Sequence, residues 1–330
     1  ETLVGGAGLT ESLAQRLYEG TEGNPFFTKE LVRSLLGSGA IAADATGQWT
    51  LSGEAALSAD AMPATIQEAV EDRIQRLPEE LRQLLATASV LGRSFDVRDL
   101  EALAEGEVED ALDRLLVEGY LEEQREARGD VLAFSSGVVR DVLYGSLSPR
   151  KRRSLHRRCA ERLEARHAGR LERVLPQLVH HYFNGDVPEK TVEHGLRLSG
   201  SSLDAFSAEE AARSARMALS FLDDEWEGDR GLEAEARLLL ARAHRMSGDI
   251  EAALREAAAA IAVHEREGRT GAAASTLLFA AETAWQARRS EEASRFAEKG
   301  LVAARQAGEA AVLRPLLSLA ATLANLRADL

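Results

Sequence analysis

A single cysteine, Cys159, stands in 330 residues. It has no internal disulfide partner, so a stapled secreted scaffold is excluded and a reducing cytoplasm is the expected compartment. Aromatic residues make up only 5% of the chain while alanine is abundant, which favours helices packed closely through small side chains. No apolar run approaches the ~20 residues that cross a bilayer, so no membrane partner is expected. The chain opens Glu1-Thr2-Leu3-Val4 with no basic stretch ahead of an apolar one, so no signal peptide is read there. It lacks an initiator Met, and its last apolar helical pattern, Leu316 to Leu326, carries no cap. A piece of a longer protein is expected.

Catalytic patterns are also missing. There is no G-x-x-x-x-G-K-[ST], and Gly5-Gly6-Ala7-Gly8 has no Lys after it, leaving a weak phosphate loop or a flexible end as the alternatives. There is no H-E-x-x-H. His180 and His181 are adjacent, and about 100° between neighbours on a helix suits one metal ion poorly, so both read as core or surface histidines. Cys159 lies among Arg157, Arg158 and Arg162, which favour a thiolate, but no base or resolving cysteine accompanies it. A buried structural thiol is the preferred reading. No catalytic residue and no metal site are therefore assigned, and the chain is not expected to be an enzyme by itself.

What is present is mostly helical periodicity. The chain is long enough for two or three domains, and 45% hydrophobic with 28% charged residues is ordinary for a globular protein. Leu9, Leu13 and Leu17 mark a short helix over residues 9–20. Gly23-Asn24-Pro25-Phe26-Phe27 then gives a turn, a helix start and an apolar anchor, followed by Leu31, Leu35 and Leu36 on one side. Residues 40–58, around Trp49, read as a small hairpin or a loop. Ile66, Val70 and Ile74 share a helical face that closes at Leu77-Pro78, and Pro78 sits at the first turn of a helix striped by Leu81, Leu84, Leu85 and Ala88. Two short helices follow, Asp96 to Ala104 and Val108 to Leu116. Residues 120–124 and 131–134, joined through Gly129-Asp130, form a β-hairpin. Helices followed by a hairpin wing spell a winged-helix order.

Ser148-Pro149 opens a long helix as cap and first turn. From about residue 171 the pattern is helical throughout and repeats. Phe206-Ser207-Ala208-Glu209-Glu210-Ala211 matches Gly248-Asp249-Ile250-Glu251-Ala252-Ala253, and Arg289-Ser290-Glu291-Glu292-Ala293 is a third copy. The alanines 211, 253 and 293 are spaced by 42 and 40 residues, longer than the 34 of the standard tetratricopeptide repeat, as longer helices require. A helix pair cannot bury its apolar face alone, so the pairs are expected to stack into a solenoid.

Charge divides the chain unevenly. The net charge of −14 argues against nucleic-acid binding by the surface at large. Residues 149–173 nevertheless carry ten basic side chains, beginning Arg150, Lys151, Arg152, Arg153, Arg157 and Arg158, against Glu161, Glu164 and Glu172. Such a helix beside a winged helix suggests phosphate contacts. The helix that would read bases, however, carries Glu109, Asp110 and Asp113 against Arg114 alone, and a major groove would repel it. A docking surface for an acidic partner or a neighbouring domain is preferred, and duplex DNA is the less favoured partner.

Together these parts resemble the segment that follows the ATPase core in bacterial STAND-type signalling NTPases, the AAA-like regulators often fused to serine/threonine kinases, nucleotide cyclases or LuxR-type domains. The resemblance is carried by Gly-Asn-Pro-Phe-Phe-x-x-Glu-Leu, a Trp-bearing hairpin, Pro-x-x-Ile-x-x-x-Val-x-x-Arg-Ile-x-x-Leu, and Phe134 to Tyr144 with Arg152, Arg153, Leu155 and His156 following. It departs at Ser136, where the family often has His. It implies an all-α chain with a small wing: residues 1–62 a lid or sensor fragment with a small hairpin, 63–147 a winged-helix-like domain, 148–170 a basic linker helix, and 171–330 tetratricopeptide-like repeats. It further implies that Gly23, Asn24 and Pro25 form a turn packing on the adenine of a nucleotide held mainly by an upstream P-loop domain. That domain is not in this sequence, so no cofactor is expected for the chain itself, and ATP or ADP with Mg²⁺ is expected for the longer protein. Expected partners are the upstream ATPase core and a protein or peptide on the repeats. The alternative function is a winged-helix nucleic-acid-binding transcriptional regulator.

Overall fold

The computed structural model describes residues 10, 13–15, 17–18, 25–37, 39–43, 48–51, 66–104, 108–124, 129–222 and 226–328. It divides into two compact units, Glu1–Cys159 and Ala160–Leu330.

The first unit begins with a small core in which Leu13 and Leu17 meet Leu31, Val32 and Leu35 of the helix Pro25–Gly37, together with Ile41. The helix start at Pro25 agrees with the sequence reading. Strands Ile41–Ala43 and Trp49–Leu51 pair antiparallel, Ile41 opposite Leu51, as the hairpin alternative for this segment expects. Thr10 ties back to it, its backbone N–H donating to the Trp49 carbonyl at 3.0 Å.

Helices Ile66–Gln75 and Glu79–Leu91 follow. Pro78 stands at the cap rather than inside the helix, and its carbonyl accepts from the Arg82 N–H at 3.0 Å. All four stripe residues, Leu81, Leu84, Leu85 and Ala88, are buried. Strand Ser94–Asp96 comes next, then helices Val97–Leu103 and Glu109–Val117, then strands Leu121–Glu123 and Val131–Phe134. The sheet order places Val131–Phe134 in the middle, with Phe95 opposite Leu132 on one side and Leu121 opposite Phe134 on the other. Helix, strand, two helices and a two-stranded wing on one three-stranded sheet is a winged-helix arrangement. The helix expected from Asp96 begins one residue later: Asp96 ends the edge strand Ser94–Asp96 and caps the helix, its Oδ1 accepting from the Arg98 N–H at 3.0 Å.

The core beneath this sheet is aliphatic, with Leu85, Leu100, Leu115, Leu121 and Leu143 almost wholly buried. Arginines pin its edges. Arg73 lies 4.0 Å over the Tyr120 ring and donates to the Glu118 and Gly119 carbonyls, while the Tyr120 hydroxyl donates back to the Arg73 carbonyl at 3.0 Å. Ser136 caps the helix Gly137–Ser146, its Oγ accepting from the Val138 and Val139 N–H groups. That is the local role of the position where the resemblance departs.

In the second unit each repeat is two helices. Pro188–Asp204 pairs with Ala208–Leu219, Gly231–Met246 with Ile250–Arg266, Thr270–Gln286 with Ser290–Ala307, and Ala310–Ala328 packs last. Ala211, Ala253 and Ala293, the matched positions of the three sequence copies, are fully buried. The helix ends repeat as well. Asp186, Phe206, Gly248, Gly268, Arg288 and Gly308 all adopt positive φ, 20 residues apart except across the longer link between Phe206 and Gly248. The next residue closes the same bond each time: Ser207 N–H to Ser202 O at 2.8 Å, Asp249 to His244 at 2.9 Å, Arg289 to Ala284 at 2.9 Å. This is the Schellman stop, in which a left-handed residue lets the chain satisfy the last helical carbonyls and reverse. The fold is thus all-α with a small wing, and ends in a tetratricopeptide-like helical repeat.

Candidate ligand groove

The sequence-derived nucleotide turn falls mostly outside the described residues. Gly23 and Asn24 are not among them, and of Pro25 the structure gives the helical backbone.

The basic run is split by function. Arg152 donates through Nη2 to the Tyr144 carbonyl at 2.9 Å and to the Leu147 carbonyl at 3.3 Å, and its guanidinium lies 4.2 Å over the Tyr144 ring. It therefore caps the end of the helix Gly137–Ser146. Arg140 flanks the same ring at 4.8 Å, and the Tyr144 hydroxyl meets His156 Nε2 at 2.9 Å. Arg158 donates to the Leu103 carbonyl at 3.0 Å, closing the end of the helix Val97–Leu103. Arg150, Lys151, Arg153 and Arg157 are exposed along the helix Pro149–Arg166. On the helix that would read bases, Glu109, Asp110 and Asp113 are all exposed.

Cys159 is buried, and burial together with the nearby Asp99 charge pushes its thiol up to about 12, against the weaker opposite pull of Arg158. His181 is buried and His180 exposed, their rings edge to face with centroids 5.2 Å apart.

A denser polar group surrounds Glu164. Its carboxylate accepts from Lys190 Nζ at 2.7 Å and from the Tyr182 hydroxyl, and faces His194 Nε2 at 3.3 Å. The Tyr182 and His194 rings stack with centroids 5.6 Å apart. Burial raises the Glu164 pKa, but the hydrogen bonds from Lys190 and Tyr182 outweigh it and leave the carboxyl below its ordinary range. Lys190, the Tyr182 hydroxyl and His194 Nε2 all converge on this one carboxylate, while His194 Nδ1 is buried without a hydrogen-bond partner among the described residues, so the group serves chiefly as a packing hub.

One groove open to a ligand lies on the first helices of successive repeats. A groove of about 720 Å³ runs between Leu203 and Asp204 at the end of one such helix, Leu239, Arg242, Arg245 and Met246 on the next, and Gln286 at the end of the third. Phe206, in the turn, completes its apolar wall. Phe206 is 84% exposed at φ 58°, and Met246 is also exposed. Arg245 is half-buried, lies 4.4 Å over the Phe279 ring and reaches Thr283 Oγ1 at 3.5 Å. Burial holds its pKa below the arginine norm; Glu282 opposes the shift and neighbouring Arg242 adds to it. Neither Arg242 nor Arg245 has a carboxylate within ion-pair distance among the described residues, whereas Arg237, one turn earlier, is held by Glu233 at 2.9 Å and Glu256 at 3.1 Å. Sequence reading passed over these residues, although one signal was present: aligning the repeats sets Phe206 opposite Gly248, a bulky side chain in a glycine's place.

An α-helical chain with a winged-helix arrangement and a helical-repeat array is the class that fold and groove define. A family model described as a domain of unknown function (DUF8739) matches residues 1–47. No curated protein matches the sequence. Among solved structures the chain is similar to a Signal Transduction ATPase with Numerous Domains (STAND) protein with a tetratricopeptide repeat sensor from Pyrococcus horikoshii, at 13% identity and a TM-score of 0.34, over 95% of this chain and 60% of that one. The chain thus spans about 60% of that protein's length. Among the described residues no helix is long and apolar enough to cross a membrane.

Proposed function

We propose that this chain is the non-catalytic regulatory portion of a STAND-type signalling ATPase. Its repeats would bind a protein or peptide signal, and its N-terminal segment and winged helix would couple that state to an upstream nucleotide-binding core in the cytoplasm. The observation that carries the reading is the order of elements: a helix and hairpin opening at Pro25, a winged-helix arrangement on a three-stranded sheet, then stacked helical repeats. That is the order the sequence resemblance implies. In this reading Gly23, Asn24 and Pro25 sense ATP or ADP held by the core, and exposed Arg150, Lys151, Arg153 and Arg157 dock a neighbouring acidic surface. Switching of this kind requires that signal and nucleotide each favour one of two states. The test is calorimetric titration of ADP and Mg-ATP into the 330-residue chain and into the same chain lengthened upstream of Glu1. Binding by the longer chain alone is expected; tight binding by the short chain, or by neither, would overturn the reading.

The second reading, a nucleic-acid-binding regulator, is favoured by the winged-helix arrangement beside an exposed basic helix. It requires duplex DNA binding whose affinity falls steeply with salt. The exposed Glu109, Asp110 and Asp113 oppose it, and absence of DNA binding at low salt would dispose of it.

A further inference from the structure

We infer that the groove on the repeats takes an acidic peptide segment, with a carboxylate on Arg242 and Arg245 and a neighbouring apolar side chain against Phe206 and Met246. The inference rests on the reading of the repeats as a ligand platform and names the partner's chemistry.

Phe206 supplies the first observation. In the equivalent turns the left-handed position is filled by Gly248, Gly268 and Gly308 and by the polar Asp186 and Arg288, so Phe206 is the one large apolar side chain in the series. A residue with a Cβ is disfavoured there, and a bulky one most of all. Phe206 is 84% exposed, so little packing within the chain compensates for that conformation. The backbone conformation is shared with Asp186 and Arg288, but Phe206 alone of these offers a large exposed apolar surface to something outside the chain.

The arginines supply the second, independent observation. Arg242 and Arg245 are three residues apart on one helix and so share a face. Each guanidinium has five N–H donors. Among the described residues Arg245 reaches the Thr283 hydroxyl at 3.5 Å and lies over the Phe279 ring. Two cations side by side, one of them half-buried, without a carboxylate between them, are complementary to an anion that can accept from both.

The choice of anion follows from the surroundings. Asp204 lines the same groove and Glu282 acts on Arg245, so the positive region is short and bounded by acidic groups. A polyphosphate backbone would meet those carboxylates and a chain of net charge −14. A single carboxylate beside an apolar side chain avoids both and uses the apolar wall. About 720 Å³ is within the size of sites that hold small ligands and short peptide segments.

The test is selection from a displayed library of random twelve-residue peptides on the whole 330-residue chain, then anisotropy measurements on the enriched peptides. Enriched sequences are expected to carry Asp or Glu within a few residues of a large apolar side chain. Their affinity is expected to fall about tenfold or more with Arg242→Glu plus Arg245→Glu. A several-fold loss is expected with Phe206→Gly, a change that should raise the melting temperature, so the loss is not one of folding. Enriched peptides without acidic residues, or binding indifferent to these changes, would overturn the groove assignment and leave the platform reading standing. No enrichment would overturn both. A single-stranded oligothymidylate that binds as tightly, and is lost with the same arginines, would overturn the peptide assignment in favour of phosphate.

Discussion

Phe206 is the residue whose conformation and exposure conflict most. Left-handed backbone costs about 1–2 kcal/mol for a residue with a Cβ. Glycine returns part of that through its freer unfolded chain, roughly 0.5–1 kcal/mol. Phe206→Gly should therefore stabilise the chain slightly, raising its melting temperature by a degree or a few in calorimetry; a clear drop would show that the ring packs within the fold. Cys159 gives a second test at this scale. With its thiol pushed up to about 12 chiefly by burial, it should alkylate far more slowly in the native chain than after unfolding, at neutral pH. The arginines that favoured a thiolate in the sequence lie close, but desolvation outweighs them.

His264 carries the pH dependence. It is 7% exposed, and burial, then Arg269, depress its pKa below the ordinary value. The unfolded chain thus takes up the proton first. Its contribution is fully present above about pH 6.5 and is lost as pH falls through the lower native value. The depressed Glu164 has the same sign in a lower window, opening below about pH 4.5. Melting temperatures should fall as pH drops below about 6.5, and His264→Leu should flatten that part of the profile; an unchanged slope would remove His264 as the cause.

At the scale of elements, closeness of packing governs. A Cβ on Gly195 would stand 3.2 Å from the Ser214 carbonyl oxygen and 3.3 Å from the Ala218 Cβ, and one on Gly300 would meet both Leu316 methyls at 3.0 Å. Ala253 is fully buried in the second copy, and leucine would add three more carbon atoms there. Ala253→Leu should destabilise the repeats by about 1–3 kcal/mol in denaturant unfolding. Arg152→Ala should cost about 1–2 kcal/mol, because the carbonyls of Tyr144 and Leu147 lose a charged donor. The repeats were legible because small residues recur at fixed spacing in Ala211, Ala253 and Ala293, and the wing because apolar residues flank a Gly-Asp turn. Strand Ser94–Asp96 was not legible. It has three residues and one buried side chain, Phe95, and it exists only through pairing with Val131–Phe134 some 35 residues later.

For the whole molecule, the two units carry different parts of the account. The winged-helix unit uses Arg73, Arg140, Arg152 and Arg158 to tie helix ends and aromatic rings. Part of the basic charge that drew attention in the sequence is therefore structural, and a run of arginines does not tell capping from docking until the carbonyls they reach are known. The groove was hidden for the converse reason: Phe206, Arg242, Arg245 and Gln286 are scattered over 80 residues and meet only when repeats stack. The nucleotide turn came from a resemblance in motif order, and the central claim depends on it. The most direct test is the ADP affinity of the chain lengthened through its nucleotide-binding core, compared with the same protein carrying Pro25→Ala. The account expects affinity to weaken severalfold to about tenfold, the loss of one apolar contact on the base, with the melting temperature of the nucleotide-free protein nearly unchanged. Equal affinities would contradict it.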